Sequence, residues 1–346
     1  MPDTGLNVDH RPVMNLLKQC PLYAPTPLQT IDALSRELGI ESLRIKNESP
    51  RMGLGSFKAL GGSYAILQLI LRQAGHDQSI PVDLADQKFR EAAASKVFVC
   101  ATAGNHGLSV AAGATLFGAK SVVYIAESVP ESFAQRLKDK GAEVVRQGAV
   151  YEQAMQAALA ASERNGWQLI ADTSWSDYLE IPRLIYQGYT VIAEECRQQF
   201  EASNNWPDHI FLQAGVGGMA AALAAHCRQW WAVQPKIFVV EPTAAPCLAR
   251  SVSAGKMVDV EGQVSNMGRL DCKRASLLTF ESLRHTADGF IEVSESEAET
   301  STTMLDRYGI LSTPSGSAGL AGLAHAVSQG QIAANANCLV VVSEGA

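Results

Sequence analysis

No stretch of the sequence approaches the roughly 20 consecutive apolar residues that a membrane-spanning helix needs. The Gly- and Ala-rich apolar run at 214–225 is too short. Positive charge is scarce: 28 Lys+Arg stand against 35 Asp+Glu, a net charge of −7, and no basic cluster offsets it. That balance excludes nucleic acid and anionic membranes as expected partners. None of the seven cysteines forms a CxxC pair. An odd number at wide spacing argues against both a zinc site and a disulfide scaffold, so no metal is expected. The first 15 residues lack the apolar core of a secretory signal. Repeats, low-complexity tracts and Pro/Gly/Ser linkers are also missing. Together these absences predict a soluble, cytoplasmic protein in which any second domain is inserted into the first.

What is present fits a large core. At 346 residues, with 47% hydrophobic and 18% charged, the chain is long enough for about two or three domains. Short Val- and Ile-rich runs predict strands at 43–46, 97–101, 121–125, 143–146, 168–171, 210–213, 237–240, 290–293 and 339–342. Several lack polar alternation, as in parallel strands buried on both faces. Between them lie helical patterns at 59–72, 106–117, 130–140, 151–165, 183–200, 219–231 and 317–328, and Leu28, Ile31, Leu34 and Leu38 share one helical face. Gly118, Gly141 and Gly166 stand at helix ends, where glycine commonly stops a helix. Repeated βα units imply open, mostly parallel sheets with helices on both faces, an α/β fold. The stretch 76–86 is polar and reads as an exposed connection. The stretch 255–274 has few regular signals and reads as an irregular excursion.

Five segments carry candidate chemistry. Gly215-Val216-Gly217-Gly218-Met219-Ala220 follows a predicted strand and opens a helix. Its glycines let N–H groups approach an anion, so it has the form of a phosphate-binding loop. It also fits G-x-G-x-x-A, with Glu241 ending the next strand, which keeps a dinucleotide open beside another phosphate. Gly53-Leu54-Gly55-Ser56-Phe57-Lys58 places a lysine at a helix start, beside Arg51. Both features disfavour its charge and predict a depressed pKa, suited to a Schiff-base nucleophile. Taken alone, such a lysine reads as an ordinary surface residue. Thr102-Ala103-Gly104-Asn105-His106-Gly107 is a second turn able to hold a carboxylate on backbone N–H groups, or simply a capped helix start. Thr313-Pro314-Ser315-Gly316 precedes a helix, and Ser343 ends the last strand. In open α/β sheets ligands bind at the carboxyl ends of strands, which gathers these segments at one crevice.

In order and content these segments resemble the fold type II pyridoxal-phosphate enzymes of the tryptophan synthase β-subunit superfamily. The resemblance spans nearly the whole chain, from Thr26-Pro27-Leu28 and Ile45-Lys46-Asn47-Glu48 through Gly55-Ser56-Phe57-Lys58 to Ser343. Within that fold the chain is most similar to the diaminopropionate ammonia-lyases. Phe57-Lys58-Ala59-Leu60-Gly61-Gly62-Ser63-Tyr64, Gly104-Asn105-His106-Gly107, Ala171-Asp172-Thr173-Ser174-Trp175 and Leu212-Gln213-Ala214-Gly215 carry the likeness. Two positions depart from it. Ala103 stands where that family has an aspartate, and Thr313 stands for the Glu of its E-P-S-G segment.

The resemblance implies two domains with pyridoxal 5'-phosphate between them: 1–58 with 180–346, and an inserted 59–179. It implies a homodimer acting on a small amino acid. Lys58 carries the cofactor and takes the Cα proton, and Asp172 attracts the β-ammonium of 2,3-diaminopropionate; a strand-end cap is the alternative for Asp172. Gly215, Val216, Gly217, Gly218 and Met219 hold the phosphate, Ser343 meets the ring nitrogen, Asn105 the ring hydroxyl, and Phe57 packs beside the ring. The N–H groups of Thr102, Ala103, Gly104, Asn105 and His106 hold the substrate carboxylate. Products are pyruvate and ammonia, with the L-isomer preferred because Ala103 has no titratable group. A serine/threonine or hydroxyaspartate dehydratase on the same fold, an NAD-dependent dehydrogenase built on Gly215 and Glu241, and a catalytically silent relative are the competing readings. A close approach of Cys247 and Cys272 is weighed against two unrelated thiols, which a reducing cytoplasm favours.

Overall fold

Ten strands among the described residues divide between two sheets. The structure, a computed structural model, describes residues 5–76, 82–102 and 104–346. Part of the 76–86 connection and Ala103 therefore lie outside the described residues. The strands are β1 (Leu28–Thr30), β2 (Ser42–Asn47), β3 (Val97–Ala101), β4 (Lys120–Ile125), β5 (Glu143–Arg146), β6 (Gln168–Leu169), β7 (His209–Gln213), β8 (Lys236–Pro242), β9 (Gly289–Val293) and β10 (Asn337–Val342). The six-stranded sheet runs β1-β2-β10-β7-β8-β9, and the four-stranded sheet runs β5-β4-β3-β6. Every pairing is parallel except that of β1 with β2. The small sheet draws all its strands from 59–179, and the large one draws its strands from the flanking segments.

The helices are α1 (Arg11–Leu17), α2 (Asp32–Leu38), α3 (Ala59–Gln73), α4 (Gln87–Ala94), α5 (Asn105–Phe117), α6 (Glu131–Asp139), α7 (Tyr151–Asn165), α8 (Glu180–Ser203), α9 (Gly218–Trp230), α10 (Cys247–Ala254), α11 (Leu277–Thr286), α12 (Glu295–Asp306) and α13 (Pro314–Ser328). Central strands form for the expected reason. From Cys338 to Val342, β10 is buried at every residue, covered on both faces, so continuous apolar runs replace alternation. Gly118 and Gly166 end α5 and α7 in the left-handed conformation.

Local pattern misled in three places. Leu28 belongs to edge strand β1, paired with Lys46, and not to the helical face of Leu34 and Leu38. Periodicity alone cannot separate a three-residue strand from the turn of helix that follows it. Strand β6 stops at Leu169, two residues early. There the Ile170 carbonyl turns to His106 Nε2 at 2.8 Å, and the chain leaves the sheet toward Asp172. Helix α12 carries Thr-Ser-Thr-Thr, weak helix formers that hid it. Its signal was the Ser294/Glu297 capping box, which the structure shows closed in both directions. By contrast, 256–276 contains no helix or strand, as expected of the irregular excursion.

Two features lock the framework around the future site. Helices α3 and α8 approach closely because Gly61 and Gly188 face across the crossing: a Cβ on Gly188 would stand 2.5 Å from the Leu60 carbonyl. Beside that crossing lies a buried ionic network. Lys46 Nζ donates to Glu195 (2.6 Å), and Arg51 donates to Glu48 (2.8 Å) and Glu195 (2.7 Å). Thr26 Oγ1 adds a bond of 2.5 Å to Glu48. Such a network holds only if each charge is paired, because isolated ions at this depth are very costly. Elsewhere in the framework His10 is buried. Its Nδ1 lies 3.0 Å from His226 Nε2, and its Nε2 lies 3.5 Å from Glu194, which Arg197 also holds.

Candidate active site

The register of the large sheet brings the separated segments together. Val342 of β10 pairs with Asn47 of β2, so the two strands end level. Beyond them Glu48 N–H donates to the Val342 carbonyl (2.8 Å) and Phe57 N–H to the Ser343 carbonyl (3.1 Å). Ser343 N–H in turn reaches Gly316 (3.2 Å). The lysine turn, the 313–316 turn and the last strand are thus stitched by main-chain bonds. Buried Gln213 at the end of β7 adds two more, from Nε2 to Gly316 and to Val341, each 2.9 Å.

Lys58 caps the N-terminus of α3, and its Nζ makes a short charged hydrogen bond to Asp172 Oδ2. Phe57 and Tyr189 wall the ammonium, with ring centroids 5.2 and 5.8 Å from Nζ, and meet edge to face at 4.9 Å. The sequence predicts a depressed lysine pKa; the structure reverses the sign. Burial does act against the charge, but the Asp172 carboxylate outweighs it and holds the ammonium well above the ordinary lysine range. Arg51, the neighbour expected to repel Lys58, is spent in its network with Glu48 and Glu195. Burial likewise raises Asp172, and His106 and Lys58 together draw it below the ordinary carboxylate range. Asp172 is therefore an ion-pair partner and not merely a strand-end cap. Its own carbonyl accepts the Tyr186 hydroxyl proton (2.9 Å), and the Tyr186 oxygen lies 2.9 Å from Ser276 Oγ at the start of α11.

The second turn is organised by Thr102. Its Oγ1 accepts the Gly104 N–H (2.9 Å), while its own N–H donates to the Tyr124 carbonyl (3.0 Å). Two of the donors expected for a substrate carboxylate are thus satisfied internally. The N–H groups of Asn105 and His106 meet no acceptor among the described residues. Since a carbonyl only accepts, Nε2 of His106 carries a proton toward Ile170, and Nδ1 faces Asp172 at 3.8 Å. His106 stands behind Asp172.

The glycine turn opens α9. Gly217 has φ +97, the left-handed region, and a Cβ there would be 2.9 Å from Leu248 and Thr279. Val216 is fixed by its carbonyl, which accepts Thr279 Oγ1 (2.5 Å) and Ser276 N–H (3.2 Å). The N–H groups of Gly217, Gly218 and Met219 have no acceptor among the described residues, as expected for the first turn of a helix. Glu241 is not available to a ribose: both its oxygens accept N–H groups of α10, Leu248 (2.8 Å) and Ala249 (2.7 Å). Burial pushes its pKa up to about 7. That removes the support for a dinucleotide.

Sequence reasoning missed Glu344 and Tyr151 at this crevice. Glu344 is buried and accepts from Asn105 Nδ2 and from Thr313 Oγ1 (2.6 Å). A carboxylate thus stands against Thr313, where the sequence lacks one. Tyr151, at the start of α7, lies within electrostatic reach of Asp172, Cys272 and Lys58. Cys247 and Cys272, both free thiols, flank Gly215: Cys247 Sγ is 3.6 Å from its carbonyl, and Cys272 Sγ would be 2.9 Å from a Cβ there. No local sequence signal marks Glu344 or Tyr151.

The model of a protein family described as pyridoxal-phosphate dependent enzyme matches residues 20–344. Diaminopropionate ammonia-lyase of Escherichia coli is 34% identical over 310 residues, 87% of this chain and 77% of that protein. The Salmonella typhimurium protein of the same name is 36% identical over 296 residues, 84% and 73% of the two chains. The crystal structure of the holo Escherichia coli enzyme superposes with a TM-score of 0.88 at 28% identity, covering 99% of this chain and 90% of that one.

The residues present fit that cofactor. Three uncommitted amide N–H groups at a helix start offer a phosphate cradle without a side-chain charge. A lysine lies at the neighbouring helix start, and the buried hydroxyls of Ser56 and Tyr189 have no partner among the described residues. No described helix is long and apolar enough to cross a membrane. By its sequence match over 20–344, its two mostly parallel sheets and this crevice, the chain belongs to the pyridoxal-phosphate-dependent enzymes.

Proposed function

We propose that the protein is an ammonia-lyase that eliminates ammonia from 2,3-diaminopropionate, with preference for the L-isomer. With one water consumed, the products are pyruvate and two ammonias. The observation that carries this reading is the half-buried Lys58–Asp172 pair, a base and a carboxylate held together at the crevice. The similarity to two enzymes named diaminopropionate ammonia-lyase supports it.

Pyridoxal phosphate, when bound, supplies the electron sink that tolerates negative charge at Cα. The chain's residues do the rest. Gly215, Val216, Gly217, Gly218 and Met219 hold the phosphate on main-chain donors. Ser343 meets the ring nitrogen with a hydroxyl, which does not force that nitrogen to stay protonated. Asn105 meets the ring hydroxyl and Phe57 packs beside the ring. Asn105 and His106 present their N–H groups to the substrate carboxylate, with Thr102 and Gly104 shaping the turn.

Lys58 binds the cofactor and, once released by the substrate amine, takes the Cα proton on Nζ. For that it must be neutral, and Asp172 opposes neutrality. The β-ammonium of the substrate relieves the opposition: docking on Asp172, it satisfies the carboxylate and loosens its hold on the lysine proton. Asp172 then holds the leaving nitrogen as the bond to Cβ breaks. Ala103 has no group to take a proton from the opposite face, which leaves Lys58 and the L-isomer.

The same reading takes 1–58 with 180–346 and 59–179 as two domains closing on the cofactor, and the active form as a cytoplasmic homodimer. Seven free thiols suit a reducing compartment. Light scattering of the holoenzyme tests the dimer. Product assay on L- and D-diaminopropionate, serine, threonine and hydroxyaspartate tests the reaction. Pyruvate from L-diaminopropionate at the highest kcat/KM is expected, and turnover confined to a hydroxy amino acid would overturn the assignment.

A further inference from the structure

Three metal-ligating side chains that take no part in the cofactor crevice meet in the interior. His10 stands at the start of α1, Glu194 on α8 and His226 on α9, and one ligand atom from each lies within 4.8 Å of the others. All three side chains are buried, with exposures of 10%, 2% and 0%. No cysteine takes part, so the cysteine spacing that argues against a zinc site does not bear on this cluster.

The cluster is short of hydrogen bonds. His10 Nδ1 and His226 Nε2, 3.0 Å apart, share one proton between them. Glu194 Oε2 lies 3.5 Å from His10 Nε2 and 3.6 Å from His226 Nε2, both longer than an ordinary N–H···O bond. A tetrahedral ion with bonds of about 2.0–2.1 Å holds its ligand atoms about 3.3 Å apart. The separations of 3.0 and 3.6 Å about His226 Nε2 stand on either side of that value.

The electrostatics suit a divalent cation. Burial lowers the pKa of both histidines, that of His226 to about 3, so each ring is neutral and has a lone pair to give. Burial raises Glu194, but hydrogen bonds from Arg197 and Gln198 outweigh it and keep the carboxylate ionised. Arg197 takes one acceptor site on each Glu194 oxygen, at 2.7 and 2.8 Å, and is itself shared with Glu201. A carboxylate has about four such sites, so Oε2 can still serve the histidine side. Two carboxylates against one guanidinium leave negative charge for an ion to neutralise, and Asp9 and Arg11, on either side of His10, cancel in their own pair. Trp230 walls the cluster, its ring centroid 4.9 Å from that of His10 and 6.3 Å from that of His226.

We propose that His10, Glu194 and His226 bind a zinc ion that ties α1 to α8 and α9. Two imidazoles and one carboxylate form a donor set suited to zinc, whereas calcium and magnesium take oxygen ligands. The ion is structural, since none of its ligands belongs to the cofactor crevice.

Chelator-treated holoenzyme titrated with Zn²⁺ in a calorimeter is expected to bind one ion per chain and to melt at a higher temperature with zinc than without. Co²⁺ in its place should give the visible d–d bands of a nitrogen and oxygen site, without a thiolate charge-transfer band. His10→Gln and Glu194→Gln should each weaken zinc at least about a hundredfold while keeping the cofactor's absorbance, because even indirect supports of a metal site are worth about ten- to a hundredfold. His10 precedes the first helix, so His10→Gln keeps the test decisive where the buried Glu194 variant fails to fold. Absence of stoichiometric zinc, a cobalt–thiolate band, or equal zinc affinity in the wild type and His10→Gln overturns the proposal.

Discussion

Replacing Asp172 by asparagine removes one charge from the Lys58 pair while keeping its size. Both side chains are largely buried, 21% and 17% exposed, so solvent screens the interaction only partly. A contact pair near a protein surface is worth about 4 kcal/mol at an effective dielectric near 20. At 1.36 kcal/mol per pK unit that is a downward shift of about three units in the Lys58 ammonium. Burial, which opposes the charge in the wild type, is then unopposed and adds in the same direction.

The linkage has a definite sign. Lys58 is raised in the folded state, so its contribution to stability is full below the unfolded lysine pKa and fades as pH rises through the folded value. Asp172 is depressed, so its contribution is full above the unfolded carboxylate value and fades as pH falls through the folded one. The pair therefore stabilises the apoenzyme across the neutral range, and Asp172→Asn should destabilise it there. At the same time it should speed capture of the cofactor's aldehyde near pH 7, because a larger fraction of Lys58 is neutral. Stopped-flow uptake of pyridoxal phosphate by apoenzyme, measured from pH 6 to 10, reads the shift directly. An unchanged pH profile would refute the control of Lys58 by Asp172. Diaminopropionate turnover should still fall, since the carboxylate for the β-ammonium is gone.

Other perturbations test other parts of the structure. Glu195→Ala strands Lys46 and Arg51 in the interior, and by analogy with other broken buried pairs it should cost about 3–5 kcal/mol in denaturant unfolding; a loss below about 1 kcal/mol would mean the network is dispensable. Gly217→Asp imposes a side chain at φ +97 and a carboxylate beside the phosphate cradle. Its affinity for pyridoxal phosphate should fall at least about tenfold, and undiminished affinity would remove the cradle from this turn. Ala103→Asp should raise D-diaminopropionate turnover, whereas the wild type should show a strong L-preference. Comparable kcat/KM for both isomers in the wild type would contradict the role of the alanine.

The sequence by itself determined the features that one segment can encode. The parallel α/β class followed from buried Val- and Ile-rich runs such as Cys338–Val342 alternating with helices that end at Gly118 and Gly166. The Gly215 turn, the Lys58 turn and the Asn105 turn were legible because each is local backbone chemistry, a strand end followed by a helix start. Tertiary structure alone decided the electrostatics. Lys58 reads as a lysine of lowered pKa until Asp172, 114 residues away, is placed against it and Arg51 is drawn off by Glu195, 144 residues away. Glu344 carries no local signature at all. Its position follows from strand register, and a carboxylate acquires its function from the partners that folding places within a few ångströms.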